Sequence, residues 1–100
     1  MPRHEVTLTA QVPVTLNNGV TLTLVTVLDA HVTARDGTSG NELTCVLDIR
    51  KDHDAQTVTL TRLTTTGLPP ASQEVLGARL ALLSVDAYHQ PATANLLVDP

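Results

Sequence analysis

Polar and apolar residues alternate along most of this chain. Between Val6 and Leu16 every second residue is apolar, and the positions between them are threonine, glutamine or proline. A period of two over this length is typical of a β-strand with one buried face. Because Pro13 lacks the N–H that a sheet ladder needs, it predicts an edge strand, a bulge, or a break into two short strands.

A long second strand is expected after the first segment. The sequence Asn17-Asn18-Gly19 favours a tight hairpin turn, so the strand after it, from Val20 to about Ala34, is expected to pair antiparallel with the first. Apolar residues occupy both faces of this strand near 24–28. That pattern predicts central burial, a bulge or a crossing between two sheets.

The rest of the chain contains further alternating segments separated by turn sequences. Strands are expected at 43–49, with Leu43, Cys45, Leu47 and Ile49 inward, and at 57–65, 78–88 and 94–98, the last as a short closing strand. Residues 35–42 lack apolar side chains and predict an exposed loop, and residues 51–54 predict a turn. Residues 66–74 contain one glycine and two prolines and predict an irregular segment, with one helical turn possible over 71–76.

Six or seven short strands without a long helix predict one all-β domain over residues 1–100. The expected fold is an antiparallel β-sandwich, immunoglobulin-like or jelly-roll-like, with a small barrel as the alternative. The alternation predicts a shared core of Leu8, Val12, Leu22, Leu24, Leu47, Leu60, Leu80 and Leu82.

The composition changes how that core is filled. Hydrophobic residues make up 42% of the chain but aromatic residues only 1%, with Tyr88 the single aromatic, so leucine and valine must fill the interior. The single cysteine, Cys45, excludes an internal disulfide. Its apolar register predicts a buried, unreactive thiol.

The charge argues against two classes of partner. The formal net charge is −4, Lys51 is the only lysine and the arginines are scattered, which disfavours nucleic acid and anionic membrane surfaces. No apolar run approaches the roughly 20 residues of a membrane-spanning helix. The start Met1-Pro2-Arg3-His4 lacks a signal-peptide pattern, so a cytoplasmic location is expected if Met1 is the native start, and export if a leader was removed.

Asp52, His53 and Asp54 form the densest cluster of possible metal ligands. Carboxylates suit calcium and histidine with carboxylates suits zinc, but neighbouring strand residues point in opposite directions, so a solvated turn is the favoured interpretation. Asp29, His31 and Asp36 are weaker candidates, together with His53 or His89. Ser39 lies in no nucleophile elbow, and no glycine-rich phosphate cradle is present. Neither an enzyme nor a bound cofactor is expected.

Three stretches resemble a known class of domain. They are 14–22, with its Val-Thr-Leu and Gly-Val-Thr-Leu pattern, Cys45-Val46, and 80–88, which reads Leu-Ala-Leu-Leu-Ser-Val-Asp-Ala-Tyr. Together they are similar to small β-sandwich domains of bacterial secreted proteins and lipoproteins, which have no firmly assigned function. The resemblance implies a sandwich fold and an exported location.

The function expected from these observations is a non-catalytic interaction or assembly module. Its partner is another copy of the chain, giving a homo-oligomer, or a larger assembly such as a shell or phage virion. Pro13 and the uncharged outward face of the first strand predict an interaction edge at Thr7, Thr9, Gln11 and Pro13. The alternative is a ligand- or metal-binding domain that uses the loops at 35–42 and 51–54.

Overall fold

The chain folds into two antiparallel four-stranded sheets. The computed structural model describes residues 4–16, 19–33, 35–64 and 72–99, and those residues contain eight strands and no helix. The strands are β1 (His4–Thr9), β2 (Val14–Thr15), β3 (Thr21–Thr33), β4 (Ser39–Lys51), β5 (Asp54–Leu63), β6 (Ser72–Val75), β7 (Ala78–Asp86) and β8 (Thr93–Asp99). The sheets do not close into a barrel, so the predicted β-sandwich class is confirmed. No described segment is a helix long and apolar enough to span a membrane.

The strand order mixes the two ends of the chain. One sheet has the order β1-β8-β7-β6 and the other has the order β2-β3-β4-β5. The short strand expected to close the fold is therefore central, because β8 pairs with β1 on one side and with β7 on the other.

The first alternating segment divides between the two sheets. β1 pairs with β8, whereas β2 pairs with β3 over only Val14↔Leu22 and Thr15↔Thr21. Pro13 lies in the link between the two strands, so the predicted break is confirmed. The expected pairing with the long second strand holds only for β2, and the turn residues Asn17 and Asn18 lie outside the described residues.

The long strand β3 contains the irregularity predicted from its pattern. Its register with β4 shifts between Leu24 and Thr26, which leaves Val25 as an extra, bulged residue. The extra residue explains why apolar side chains occur on both faces of the segment around 24–28.

The expected loop at 35–42 is shorter in the structure. β4 begins at Ser39, and the ladder with β3 includes His31↔Asn41 and Thr33↔Ser39. The two strands continue past the last buried residue, because backbone N–H and C=O groups pair whether the side chains are polar or apolar. The turn predicted at 51–54 is present, with Lys51 paired to Asp54.

The helical turn expected over 71–76 is wrong for the described part. Ser72–Val75 is strand β6, and Val75 pairs with Ala78 of β7. Leu76 and Gly77 between them both have positive φ, 49° and 87°, as a two-residue hairpin turn requires. Residues 66–71, expected to be irregular, lie outside the described residues.

Most of the predicted core is confirmed. Seven of the eight residues are buried, and Leu8, Leu22, Leu24, Leu47 and Leu80 are fully so. The prediction that Val12 is buried is wrong, since Val12 is 51% exposed. The strand period ends at Thr9, and the positive φ of Gln11 (68°) turns the chain before Val12.

One polar contact joins the two sheets on the side of β5 and β7. The Arg62 Nη1 atom donates a 2.6 Å hydrogen bond to the carbonyl oxygen of Leu83, while Arg62 Nε is buried without a hydrogen-bond partner. Leu83 is the extra residue of a bulge in β7, where the register with β8 shifts between Leu82 and Ser84. The bulge thus frees a carbonyl group for a side chain from the other sheet.

Candidate interaction edges

The four residues of the predicted interaction edge fall into two places. Thr7 and Thr9 lie on β1, which is an edge strand of its sheet. Gln11 and Pro13 lie in the link that leads from β1 to β2. The structure therefore does not bring the four residues together along one strand.

Thr7 is hydrogen-bonded within its own sheet. Its hydroxyl donates to Asn95 Oδ1 of β8 over 2.7 Å, and Asn95 Nδ2 donates to Ser84 Oγ of β7 over 2.8 Å. These three side chains form a polar row across neighbouring strands, which is how cross-strand pairs stabilise a sheet. The row stabilises the sheet itself, and it needs no partner.

Gln11 covers the first part of the side of β3 that faces away from β4. Its backbone N–H donates to the Leu24 carbonyl oxygen over 2.9 Å, and its side-chain Nε2 donates to the Val25 carbonyl oxygen over 3.2 Å. The link with Pro13 thus stands beside β3 only as far as the bulge.

Beyond the bulge, β3 has a strand neighbour on one side only among the described residues. β2 pairs with Thr21 and Leu22, and Ala10 forms an isolated bridge to Leu24. Among the described residues, no strand pairs with the side of β3 that faces away from β4 over residues 26–33. We call this side of residues 26–33 the open edge.

The direction of the backbone groups at the open edge follows from one hydrogen bond. The Thr64 N–H donates to the Asn41 carbonyl oxygen over 3.0 Å, so the backbone of Asn41 faces β5. Backbone direction alternates along a strand, so that of Glu42 faces β3, and its partner Ala30 faces β4 in return. By the same alternation the N–H and C=O groups of Asp29 and His31, and those of Val27 and Thr33, point outward at the open edge.

Several apolar side chains adjoin the open edge on the outside of the sandwich, with Glu42 and Thr44 between them. We call this apolar group the outer patch; its members share the face opposite to the buried side chains of β4 and are Leu28, Ala30, Val32, Val46 and Leu63. Leu28 is 59% exposed and Leu63 is 42% exposed. Large apolar side chains at such exposure are a common feature of protein-binding surfaces when they occur together.

Asp29 and His31 stand on the other face of β3, on the same side as the buried side chains of β4. Asp29 lies opposite Leu43 and His31 opposite Asn41. The Asn41 side-chain amide donates to Asp29 Oδ1, which holds the carboxylate in place. These two side chains are the only ionisable ones between Thr26 and Thr33.

The candidate metal ligands do not come together. No group of three or more histidine, cysteine or carboxylate side chains is placed to hold a metal ion in the part of the chain that the structure describes. His31 pairs with Asn41 near the start of β4, and His53 follows its end at Lys51, a separation of about 30 Å along the strand. Asp52 has a positive φ of 55° in the turn, and Asp54 begins β5.

Asp36 has a local structural role in the turn between β3 and β4. Its Oδ1 atom accepts a 2.9 Å hydrogen bond from the Thr38 N–H. Hydrogen bonds from the Thr38 backbone and side chain lower the pKa of Asp36. The carboxylate thus stabilises its own turn.

Cys45 is buried, as its register predicted. Its side chain is 0% exposed, between Leu43 and Leu47 on the inner face of β4. Burial raises the pKa of the Cys45 thiol to about 11, against a smaller opposite effect of a hydrogen bond with the Leu60 backbone. Because the thiolate is the reactive form, this environment disfavours nucleophilic or redox chemistry at Cys45.

Comparison with known proteins gives no relative from which a function follows. The chain matches no protein-family description, no curated protein and no solved structure. The resemblance to domains of secreted proteins and lipoproteins therefore stays an expectation.

Proposed function

We propose that this chain is a non-catalytic interaction or assembly module that binds a strand of another protein chain along its open edge. The observation that supports the proposal is the unequal length of β2 and β3. β2 has 2 residues and β3 has 13, so most of β3 has no neighbour on that side among the described strands. Adding a strand to an exposed sheet edge is a recurrent mode of protein recognition.

The composition of the open edge favours such binding. Monomeric proteins protect their edges with lysine, proline, bulges or inward-pointing charges. Residues 26–33 contain no lysine and no proline, and the bulge at Val25 lies before them. Asp29 is the single acidic group among them; it points inward, but Asn41 already binds its carboxylate. No described strand pairs with the outward backbone donors and acceptors of Val27, Asp29, His31 and Thr33, which are thus available to a partner strand.

The outer patch adds an apolar component to this edge. A strand added beside β3 places every second side chain on the outer face, next to Leu28 and Val32. Burying Leu28, which is 59% exposed, removes apolar surface from water at roughly 25 cal/mol per Å². Backbone pairing then gives affinity and the outer patch gives a preference for apolar side chains.

The loops offer less support for the ligand- or metal-binding alternative. Asp36 is hydrogen-bonded within its own turn, and residues 39–42 belong to strand β4. The described residues of the 51–54 turn form no ligand group. The open edge therefore supports the proposed function better than the loops support ligand or metal binding.

The proposal is tested by titrating the isotope-labelled chain with a short peptide of alternating threonine and valine that has a lysine at each end. We expect chemical-shift changes over residues 26–33 and slower amide exchange at Asp29 and His31. The amides of Leu28 and Ala30 serve as internal controls, because they face β4 and are protected before the peptide is added.

The matched variant is His31→Pro. This substitution removes an outward N–H but leaves the ladder with β4 intact, so it abolishes peptide binding in a chain that keeps its strand spectrum. No response over residues 26–33 at millimolar peptide, or a response confined to β1, contradicts the proposed function.

A further inference from the structure

We propose that the partner at the open edge is a second copy of this chain, paired antiparallel so that Ala30 of one copy faces Ala30 of the other. This inference rests on the proposed function, because it names the partner of the same edge. It follows from the side chains and backbone directions of residues 27–33.

Symmetry restricts how two copies of one strand can pair. An antiparallel pair of identical strands is related by a two-fold axis perpendicular to the sheet, and such an interface is self-complementary. The axis keeps outer-patch residues on one face of the joined sheet, and it places one residue opposite itself. The residues near the middle of the open edge are Asp29, Ala30 and His31, and each defines one register.

The register centred on Ala30 pairs the two ionisable side chains of the open edge. It places Asp29 of each copy opposite His31 of the other, twice in the dimer. An imidazole N–H can donate to a carboxylate whether or not the ring is charged, and protonation adds attraction. Opposite charges across neighbouring strands stabilise a sheet.

The same register also satisfies the backbone and the apolar side chains. Asp29 and His31 both direct their N–H and C=O groups outward, so the two residues exchange backbone hydrogen bonds. Val27 and Thr33, the next pair with outward backbone groups, do the same. On the outer face Leu28 of one copy lies opposite Val32 of the other, which covers the more exposed of the two apolar side chains.

The residue at the two-fold axis is small, as that position requires. Ala30 directs its backbone groups towards β4, so two Ala30 residues form a pair without hydrogen bonds. Such pairs have Cα atoms about 4.5 Å apart, the closest approach in an antiparallel sheet. Methyl side chains fit there, and two copies of a long side chain would crowd the axis.

The neighbouring registers are less favourable. A centre at Asp29 places two aspartates opposite each other, and like charges at directly opposed positions destabilise a sheet. A centre at His31 opposes two imidazoles and leaves Asp29 opposite Thr33. The alternation of Asp29, Ala30 and His31 therefore specifies both the partner and the register, and the product is a continuous sheet of two four-stranded halves.

The register is tested by sedimentation velocity over a range of chain concentrations, with a charge-exchange series. Asp29→His and His31→Asp each place like groups opposite each other in both symmetric pairs. We expect each single variant to weaken dimerisation about tenfold. The double variant Asp29→His with His31→Asp restores opposite charges and returns the dissociation constant to within about threefold of the original.

His53→Asp is the matched control. It makes the same substitution at an exposed position in the β4–β5 turn, so it leaves dimerisation unchanged. Circular dichroism establishes that each variant keeps its strand content.

Three results would overturn the inference. They are a monomer at every concentration, single variants that dimerise as well as the original chain, and a dimer that Thr9→Lys on β1 disrupts in place of the charge variants. In each of these cases the peptide titration still tests the proposed function independently. Slow amide exchange at Asp29 and His31 in a dilute monomer would overturn both, because the chain's own residues would then cover the open edge.

Discussion

Arg62 of β5 donates a 2.6 Å hydrogen bond to the carbonyl oxygen of Leu83, the residue that bulges out of β7 in the opposite sheet. The link of residues 10–13 connects the two sheets at one place, and the Arg62 contact connects them at a second. The sandwich is thus held at its sides by polar contacts and in its centre by aliphatic side chains.

The Arg62 contact predicts a measurable effect on stability. We expect Arg62→Ala to lower the free energy of unfolding by about 2 kcal/mol, because a hydrogen bond from a charged donor and the packed stem are both lost. Urea unfolding measures the change. Arg50→Ala is the control: Arg50 is 69% exposed beside Asp48, so its loss should cost less than about 1 kcal/mol. Equal effects of the two substitutions would show that the inter-sheet contact is not stabilising.

Leu22 and Val12 are both predicted core residues, but only Leu22 is buried. Leu22 is fully buried, and Leu22→Ala should cost about 2–5 kcal/mol. Val12 is 51% exposed, so Val12→Ala should change the free energy of unfolding by no more than about 0.5 kcal/mol. A large loss at Val12 in denaturant unfolding would mean that the first segment continues into the core.

Cys45 predicts a stability change at alkaline pH. Burial raises the pKa of its thiol from 9.0 to about 11 in the folded chain. The folded state therefore keeps a proton that the unfolded chain loses, so this contribution to stability falls as pH rises between about 9 and 11, by up to about 3 kcal/mol. Unfolding in urea at about pH 8 and about pH 10 measures the fall.

Cys45→Ala removes this contribution and keeps every other titrating group. We expect the variant to be less stable near neutral pH, because a buried side chain is truncated, but to lose less stability on going to alkaline pH. The same fall in both proteins would assign the pH dependence to other groups.

Metal addition should leave the chain unaffected. The described residues hold no ligand cluster, so calcium or zinc should not raise the melting temperature, as a ligand bound only by the folded state would. A thermal melt with and without each metal tests this. A rise in melting temperature that disappears with Asp52→Asn or Asp54→Asn would instead support the metal-binding alternative at the β4–β5 turn.

The alternation of apolar residues predicted the sheet content and most of the core because side-chain direction in a strand has a strict period of two. The burial of Cys45 and of Leu22 follows from that period alone. The predictions of a buried Val12 and of a helical turn near Leu76 are wrong, because positive φ at Gln11 and Leu76 interrupts the strand period. Neither glutamine nor leucine favours positive φ, so the sequence does not reveal these two turns.

The structure places β1 at the edge of its sheet, but the interaction edge expected from the sequence does not include the open edge of β3. Which strand ends unpaired depends on pairing between distant segments, and β1 pairs with β8 at the other end of the chain. One signal was present in the sequence. Only a few residues separate Pro13 from the Asn-Gly turn, too few to cover the long strand that follows.

Cross-linking shows whether two copies of this chain pair through β3 about Ala30. In a Cys45→Ala background, Ala30→Cys places two thiols opposite each other at the closest approach of the strands, within the Cα separation of about 4.4–6.8 Å that a disulfide needs. Mild oxidation should then give a covalent dimer. Glu42→Cys, beside Ala30 on the same face but one strand inward, and Thr9→Cys on β1 should remain monomeric. A dimer from Thr9→Cys, or none from Ala30→Cys, would exclude pairing of β3 about Ala30.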